Sequence, residues 1–268
     1  MAIAQHLCLR LVNDAVIAAS PAERRMLARV VLERARKASL IAFCQPDNHL
    51  HVVVGCSRDT AGHLAQAVTH SLRARLGLEA RFAPPFIKPI VEARHLNAAF
   101  RYVLRQPDRH GVSGDSLREA SNLPDLLGLR EIGSYTRVNV RRSLPRMGRR
   151  DLLQLLGVDE LRPAEEPLER VIDAALAAAA LPSLEGSTGE AISARRAVLA
   201  VVSSRLPCRT LAALLGISAR SVQWLRARAV DPAMVMAIRL QLDLLSRLPA
   251  EALRAEAPFA HVASALHG

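Results

Sequence analysis

The sequence predicts an α+β chain: a ferredoxin-like antiparallel sheet with helices, followed by an all-α C-terminal domain. Two observations carry this. Up to about residue 105, short apolar runs alternate with long amphipathic stretches in the order β-α-β-β-α-β, and a further helix follows. From about residue 151 every strong apolar pattern has the period of a helix.

Each element has a local cause. Residues 6–12 (His6-Leu7-Cys8-Leu9-Arg10-Leu11-Val12) alternate as a strand does. Ser20-Pro21 with Glu23 opens a helix that runs to about Lys37: Ser20 caps, Pro21 suits the first turn, and Glu23 favours the positive end of the dipole. Strands are expected at 39–45 and 49–55, joined by the turn Gln45-Pro46-Asp47-Asn48. A second helix starts at Asp59 and ends near Gly77. A short strand is expected at 79–83, broken by Pro84 and Pro85, and 86–91 is extended. A third helix covers Ala93 to Arg105 and stops before Pro107.

The expected domains are therefore 1–112, a less regular basic connector over 113–160, and a helical domain over 161–268. Gly186-Ser187-Thr188-Gly189 reads as a flexible joint within the last of these.

Charge bears on the partner. The 268 residues include 36 basic and 25 acidic side chains, for a net +11. All the basic residues except Lys37 and Lys88 are arginine, and the surplus lies in residues 1–150. Between Ala191 and Val230 there are seven arginines and no acid. A polyanion is the expected partner, and nucleic acid is the commonest one. Disorder throughout is excluded, because half the residues are hydrophobic. The longest fully apolar run, Ala174 to Leu181, is far short of the ~20 residues that a membrane span needs. The chain is thus expected in the cytoplasm, off the membrane, as a monomer or homodimer. Cys8, Cys44, Cys56 and Cys208 contain no C-x-x-C pair, so a zinc ribbon is not expected.

Two short patterns could carry chemistry. On the strand His49-Leu50-His51-Val52-Val53-Val54-Gly55, residues two apart share a face, so His49 and His51 stand about 7 Å apart on one side and could close on a divalent cation. In the third helix Tyr102 and Gln106 are four apart, which puts both on one helix face. A phenol with a pKa near 10 costs about 4 kcal/mol to ionise at neutral pH, so it needs exact positioning or a polarised electrophile.

Together, Pro46-Asp47-Asn48-His49-Leu50-His51 and, some fifty residues on, Tyr102-Val103-Leu104-Arg105-Gln106-Pro107 resemble the single-tyrosine HUH transposases, in particular the REP-associated tyrosine transposase group. His6-Leu7-Cys8-Leu9-Arg10 is similar to that family's first strand. The resemblance covers about residues 5–130. It implies that His49, His51 and Gln106 hold Mg2+ or Mn2+. It further implies that Tyr102 attacks a phosphate of single-stranded, hairpin-forming repeat DNA, leaving a 5′-phosphotyrosine and a free 3′-OH.

Residues 208–228 read as a helix-turn-helix. Gly216 supplies the turn, Ser218 caps the second helix, and Leu211, Leu215, Ile217, Val222 and Leu225 lie inward. With its flanking helices (190–205 and the one capped by Asp231-Pro232), it is similar to the C-terminal DNA-binding domain of the replication initiator DnaA. Arg220, Ser221, Gln223, Arg226 and Arg228 are its candidate DNA contacts, and Arg141 and Arg142 of the connector are candidates for holding phosphates. The alternative to a transposase is a domesticated, non-catalytic regulator that binds DNA through these helices. A third reading, a replication initiator or relaxase that nicks at an origin, would be expected in a longer chain.

Overall fold

The structure is a computed structural model that describes residues 2–106, 115–202 and 206–248. Pro107, the boundary expected at residue 112 and the last residues of the helix expected at 190–205 lie outside the described residues. The chain divides into two compact units, Met1–Leu127 with Ile132–Glu160 and Gly128–Glu131 with Leu161–Gly268.

The first unit is α+β. In order, it contains β1 (Ala4–Arg10), α1 (Pro21–Arg34), β2 (Leu40–Cys44), β3 (His49–Val54), α2 (Arg58–Leu76), β4 (Phe86–Ile90) and α3 (Ala93–Leu104). The strands make one antiparallel sheet ordered β2-β3-β1-β4, with β3 between β1 and β2 and β1 between β3 and β4. Two interleaved βαβ units give this order. Ser20 closes a capping box on Glu23 at the start of α1, and Gly77, at φ 63°, ends α2 in the left-handed region.

The strand expected at 79–83 does not form. Among the described residues, the pairing of 81–83 is limited to Val12 N–H to Arg81 O, Ala83 N–H to Arg10 O and one bridge, Leu11 to Phe82. Pro84 and Pro85 have no N–H to extend the pairing. Pro89 is tolerated in β4 because that strand lies on the sheet's edge.

The two faces of the sheet differ. Leu7, Leu9, Leu50, Val52 and Val54 point into a core shared with Leu27, Val31, Leu64, Val68 and Leu72 of α1 and α2. The intervening residues face the other way, and α3 packs on β2 and β3. The buried residues of α3 (Leu96, Ala99, Phe100, Val103 and Leu104) recur at three- and four-residue spacing and form its inner stripe.

The other edge strand, β2, is covered by residues 115–122. Asn122 is fully buried. Its Oδ1 accepts from Phe43 N–H at 2.9 Å, its Nδ2 donates to Ile41 O at 3.1 Å, and Gln45 N–H reaches Ala120 O at 2.9 Å. Asp115 shapes this loop by accepting from the N–H groups of Glu119 and Ala120, and Arg25 of α1 pairs with Glu119 at 3.0 Å. An uncovered β2 would offer a row of open backbone groups for strand addition. Asn122→Ala strands two buried backbone partners. It is expected to cost about 2 kcal/mol in urea unfolding and to speed hydrogen exchange at the Phe43 amide. An unchanged midpoint would contradict this clamp.

The stretch expected to be an irregular connector contains α4 (Leu123–Leu127), α5 (Tyr135–Ser143) and α6 (Arg149–Leu156). These helices have 5, 9 and 8 residues, too short for a clear period in the sequence. Long-range partners hold α5: Tyr135 Oη donates to Leu32 O at 2.7 Å and Asn139 Nδ2 to Leu40 O at 3.1 Å.

In the second unit the elements among the described residues are helical: α7 (Val171–Ala179), α8 (Gly189–Val202), α9 (Cys208–Leu215), α10 (Ala219–Arg226) and α11 (Pro232–Arg247), with a 3-10 turn at Leu168–Arg170. The alanines of α7 are buried and let neighbours approach closely, and α11 packs on both α7 and α8. The expected flexible joint is a helix start. Gly186 turns at φ 87°, and Thr188 Oγ1 accepts from Ala191 N–H at 3.3 Å.

Candidate active site

The register of β1 on β3 builds the site. Cys8 lies opposite His51, Arg10 opposite His49, and His6 opposite Val53. Facing residues of an antiparallel pair share a side, so His6, Cys8, Arg10, His49 and His51 all project from the face that α3 covers. The rings of His49 and His51 meet edge to face with centroids 4.5 Å apart. Tyr102, on α3, has its ring 5.7 Å from His51 and 6.3 Å from His6. Tyr102 is 40% exposed while His51 is 6% exposed, so the phenol stands at the mouth of the cluster rather than in a core.

Further contacts set this geometry. The short turn before β3 is closed by Gln45 Nε2 donating to Asp47 O. Asn48 Oδ1 lies 2.9 Å from His49 Nδ1, and His6 Nε2 lies 3.1 Å from His51 Nδ1. Arg101, next to the tyrosine, pairs with Asp151 at 3.0 Å and ties α3 to α6. Asp151 also accepts from Gly148 N–H; that bond first, and Arg101 second, holds its carboxyl below the usual range.

Gln106 departs from the expected geometry. The α3 helix ends at Leu104 with Arg105 as its cap, so Gln106 stands past the helix end rather than on its face, and it is buried.

Among the described residues no three His, Cys, Asp or Glu side chains form a metal cage. The donors at hand are imidazoles. As a donor set, two imidazoles and an amide oxygen would suit a divalent cation without selecting between Mg2+ and Mn2+.

His6 is a member of the cluster that sequence reasoning missed. Its signal was the alternation of β1, which sets His6 apart from Leu7 and Leu9. Burial, then Lys88 and then His95, lower its pKa to about 4. Its folded pKa therefore lies below the ordinary 6.5, and the unfolded chain takes up the proton first. Stability is complete above about 6.5 and falls by about 3 kcal/mol as the pH drops toward 4. Unfolding of metal-free protein at pH 7.5 and pH 5 should lose this part of the slope in His6→Phe. A slope identical to wild type would refute the assignment.

In the second unit, Gly216 (φ 62°) ends α9, and Ser218 accepts from Ser221 N–H at 3.0 Å to start α10. Leu211, Leu215, Val222 and Leu225 are buried, Ile217 is half-buried, and Arg220, Gln223, Arg226 and Arg228 are exposed. Ser221 is engaged in the cap, its Oγ 2.9 Å from that of Ser218. Exposed Trp224 has the guanidinium of Arg228 at 4.9 Å and that of Arg196 at 5.8 Å. Arg141 and Arg142 are exposed on α5, with Arg142 also donating to Ser39 Oγ. Arg130, by contrast, is 1% exposed and so does not face a phosphate.

No known family profile, no characterised protein and no solved structure matches the chain.

Proposed function

We propose that the chain is a metal-dependent endonuclease and strand transferase for single-stranded DNA, with Tyr102 as nucleophile. The observation that carries this reading is the meeting of one partly exposed phenol with three imidazoles on one sheet face. The oxygen of Tyr102 would attack the phosphorus of a phosphodiester. The 3′ oxygen would leave with a proton, and the 5′ phosphate would remain on the tyrosine. Because the phosphate ester bond is conserved, a second 3′-OH can reverse the step without ATP. His49, His51 and Gln106 would hold the divalent cation, which when bound supplies Lewis acidity at the phosphate. Arg101, through Asp151, would keep the tyrosine helix in place.

The test is incubation of the full chain with Mn2+ and a labelled hairpin oligonucleotide. A covalent adduct that survives denaturation, and that a chelator prevents, is expected. No adduct with either Mn2+ or Mg2+ would refute the reading.

A second reading, a non-catalytic regulator that binds DNA, draws support from the exposed arginines of α10. Replacing Arg220, Arg226 and Arg228 together with alanine should weaken duplex binding and flatten its salt dependence by about one unit of slope for each phosphate no longer neutralised. An unaltered slope in a fluorescence-anisotropy titration would exclude those arginines as the DNA-facing surface.

A further inference from the structure

We infer that Trp224, with Arg196 and Arg228 beside it, is a stacking platform for an unpaired base of single-stranded nucleic acid, the arginines taking the adjoining phosphates. This platform needs neither a cation nor Tyr102 and is independent of the nuclease reading.

The core of the helix-turn-helix is made by Leu211, Leu215, Val222 and Leu225, which are buried. Trp224 is not part of it: the residue is 47% exposed. An indole left at the surface keeps much of its large apolar area uncovered, and covering it against a partner is favourable.

Spacing sets what surrounds the ring. Arg220 and Trp224 are four apart on α10 and share a helix face. Four residues further, just past the helix end, Arg228 brings its guanidinium carbon to 4.9 Å from the ring centroid. Arg196, from α8, approaches to 5.8 Å and is fixed there by Nη1 donating to Ala229 O at 3.3 Å. Two guanidinium groups beside one ring repel each other, and the ring's negative faces offset only part of that. No acidic side chain lies between Ala191 and Val230, and the adjoining Asp231 caps α11 by accepting from Ala233 N–H at 2.9 Å. A phosphate is the matching group for such a stretch.

The pairing of an indole with cations selects the occupant. A polyanion without bases would use the arginines and leave the indole idle. A duplex offers phosphates but keeps its base faces stacked on one another. An unpaired nucleotide offers both a π-face and a phosphate. A cation–π contact at an exposed site is weaker than a base stacked on an aromatic ring, so an entering base displaces a guanidinium, which then turns to the phosphate.

The experiment titrates the full chain, in EDTA, with oligothymidylate about ten nucleotides long. Because Trp224 is the only tryptophan, intrinsic emission reports this site directly. Emission should be quenched as the oligonucleotide binds, and a duplex of the same length should quench far less. Oligouridylate of equal length tells RNA from DNA, and saturable quenching by either single strand supports the platform. In Trp224→Ala, affinity read from the anisotropy of the labelled single strand should fall at least fivefold at every salt concentration. The salt slope should stay the same, because no charge is removed. Trp224→Phe, which keeps a ring, should recover part of the loss.

Emission that stays constant while single strands bind would overturn the inference, and so would no binding of either strand or equal quenching by the duplex. A folded Trp224→Ala protein with wild-type affinity would overturn it too. The wild-type emission decides the matter even if Trp224→Ala does not fold. Quenching in EDTA without any covalent adduct in Mn2+ would defeat the nuclease reading and leave the platform standing; an adduct without quenching would do the reverse.

Discussion

Tyr102→Phe is expected to abolish the covalent protein–DNA adduct completely while leaving the fold and DNA binding nearly unaltered. The substitution removes one oxygen and keeps the ring that sits 5.7 Å from His51 and 6.3 Å from His6. Tyr102 is not among the buried residues of α3, so the loss of its hydroxyl should change stability by no more than about 0.5 kcal/mol. Tyr135, the chain's other tyrosine, cannot substitute for it: its hydroxyl is committed to Leu32 O at 2.7 Å. The measurement is a denaturing gel of labelled hairpin DNA with Mn2+, beside an anisotropy titration of the same DNA. An adduct that persists in Tyr102→Phe would remove this residue from the chemistry. Loss of binding along with the adduct would mean that the hydroxyl serves recognition rather than attack.

Glycine-to-alanine substitution at two positions is expected to have opposite effects. A Cβ on Gly133 would collide with Oδ1 and Cγ of Asp125 and stand 2.7 Å from Leu32 Cδ2. Asp125 is fully buried, and Thr136 N–H and Oγ1 both bond to Gly133 O, so neither side can move aside cheaply. Overpacking of this kind, with a buried carboxylate displaced, should cost about 3 kcal/mol. Gly62, inside α2, has nothing within 4 Å of an added Cβ. There alanine should stabilise by about 0.5–1 kcal/mol, because glycine carries the larger entropy loss in a helix. Chemical unfolding of both variants checks the pair. A Gly133→Ala midpoint equal to wild type would mean that Asp125 does not lie against the backbone of residue 133.

The β-α-β-β-α-β order was legible because it rests on local causes. Alternation marked β1 and β3, Ser20 capped α1, and Gly77 ended α2. The pairing of His49 with His51 on one face was legible for the same reason, since a strand's period is two residues. Residues 123–156 were not. Their three helices are short, and their stability comes from Leu32, Leu40 and Leu127, whose carbonyls accept from Tyr135, Asn139 and Arg149. The burial of Arg130 was not legible either, because a side chain's environment depends on what folds around it.

Spacing within a segment determined which face each residue of that segment occupies, and so it marked the paired histidines and the tyrosine helix. Only the tertiary structure decided which face meets which. His6 reached His51 across 45 residues of chain because β1 pairs antiparallel with β3 in one register. A shift of one residue would have turned His6 into the apolar core. The same holds for the Asn122 clamp and the gap at Gly133. Local periodicity is written in neighbouring residues, whereas register and close approach are set by many distant contacts at once, and no short stretch of sequence records them.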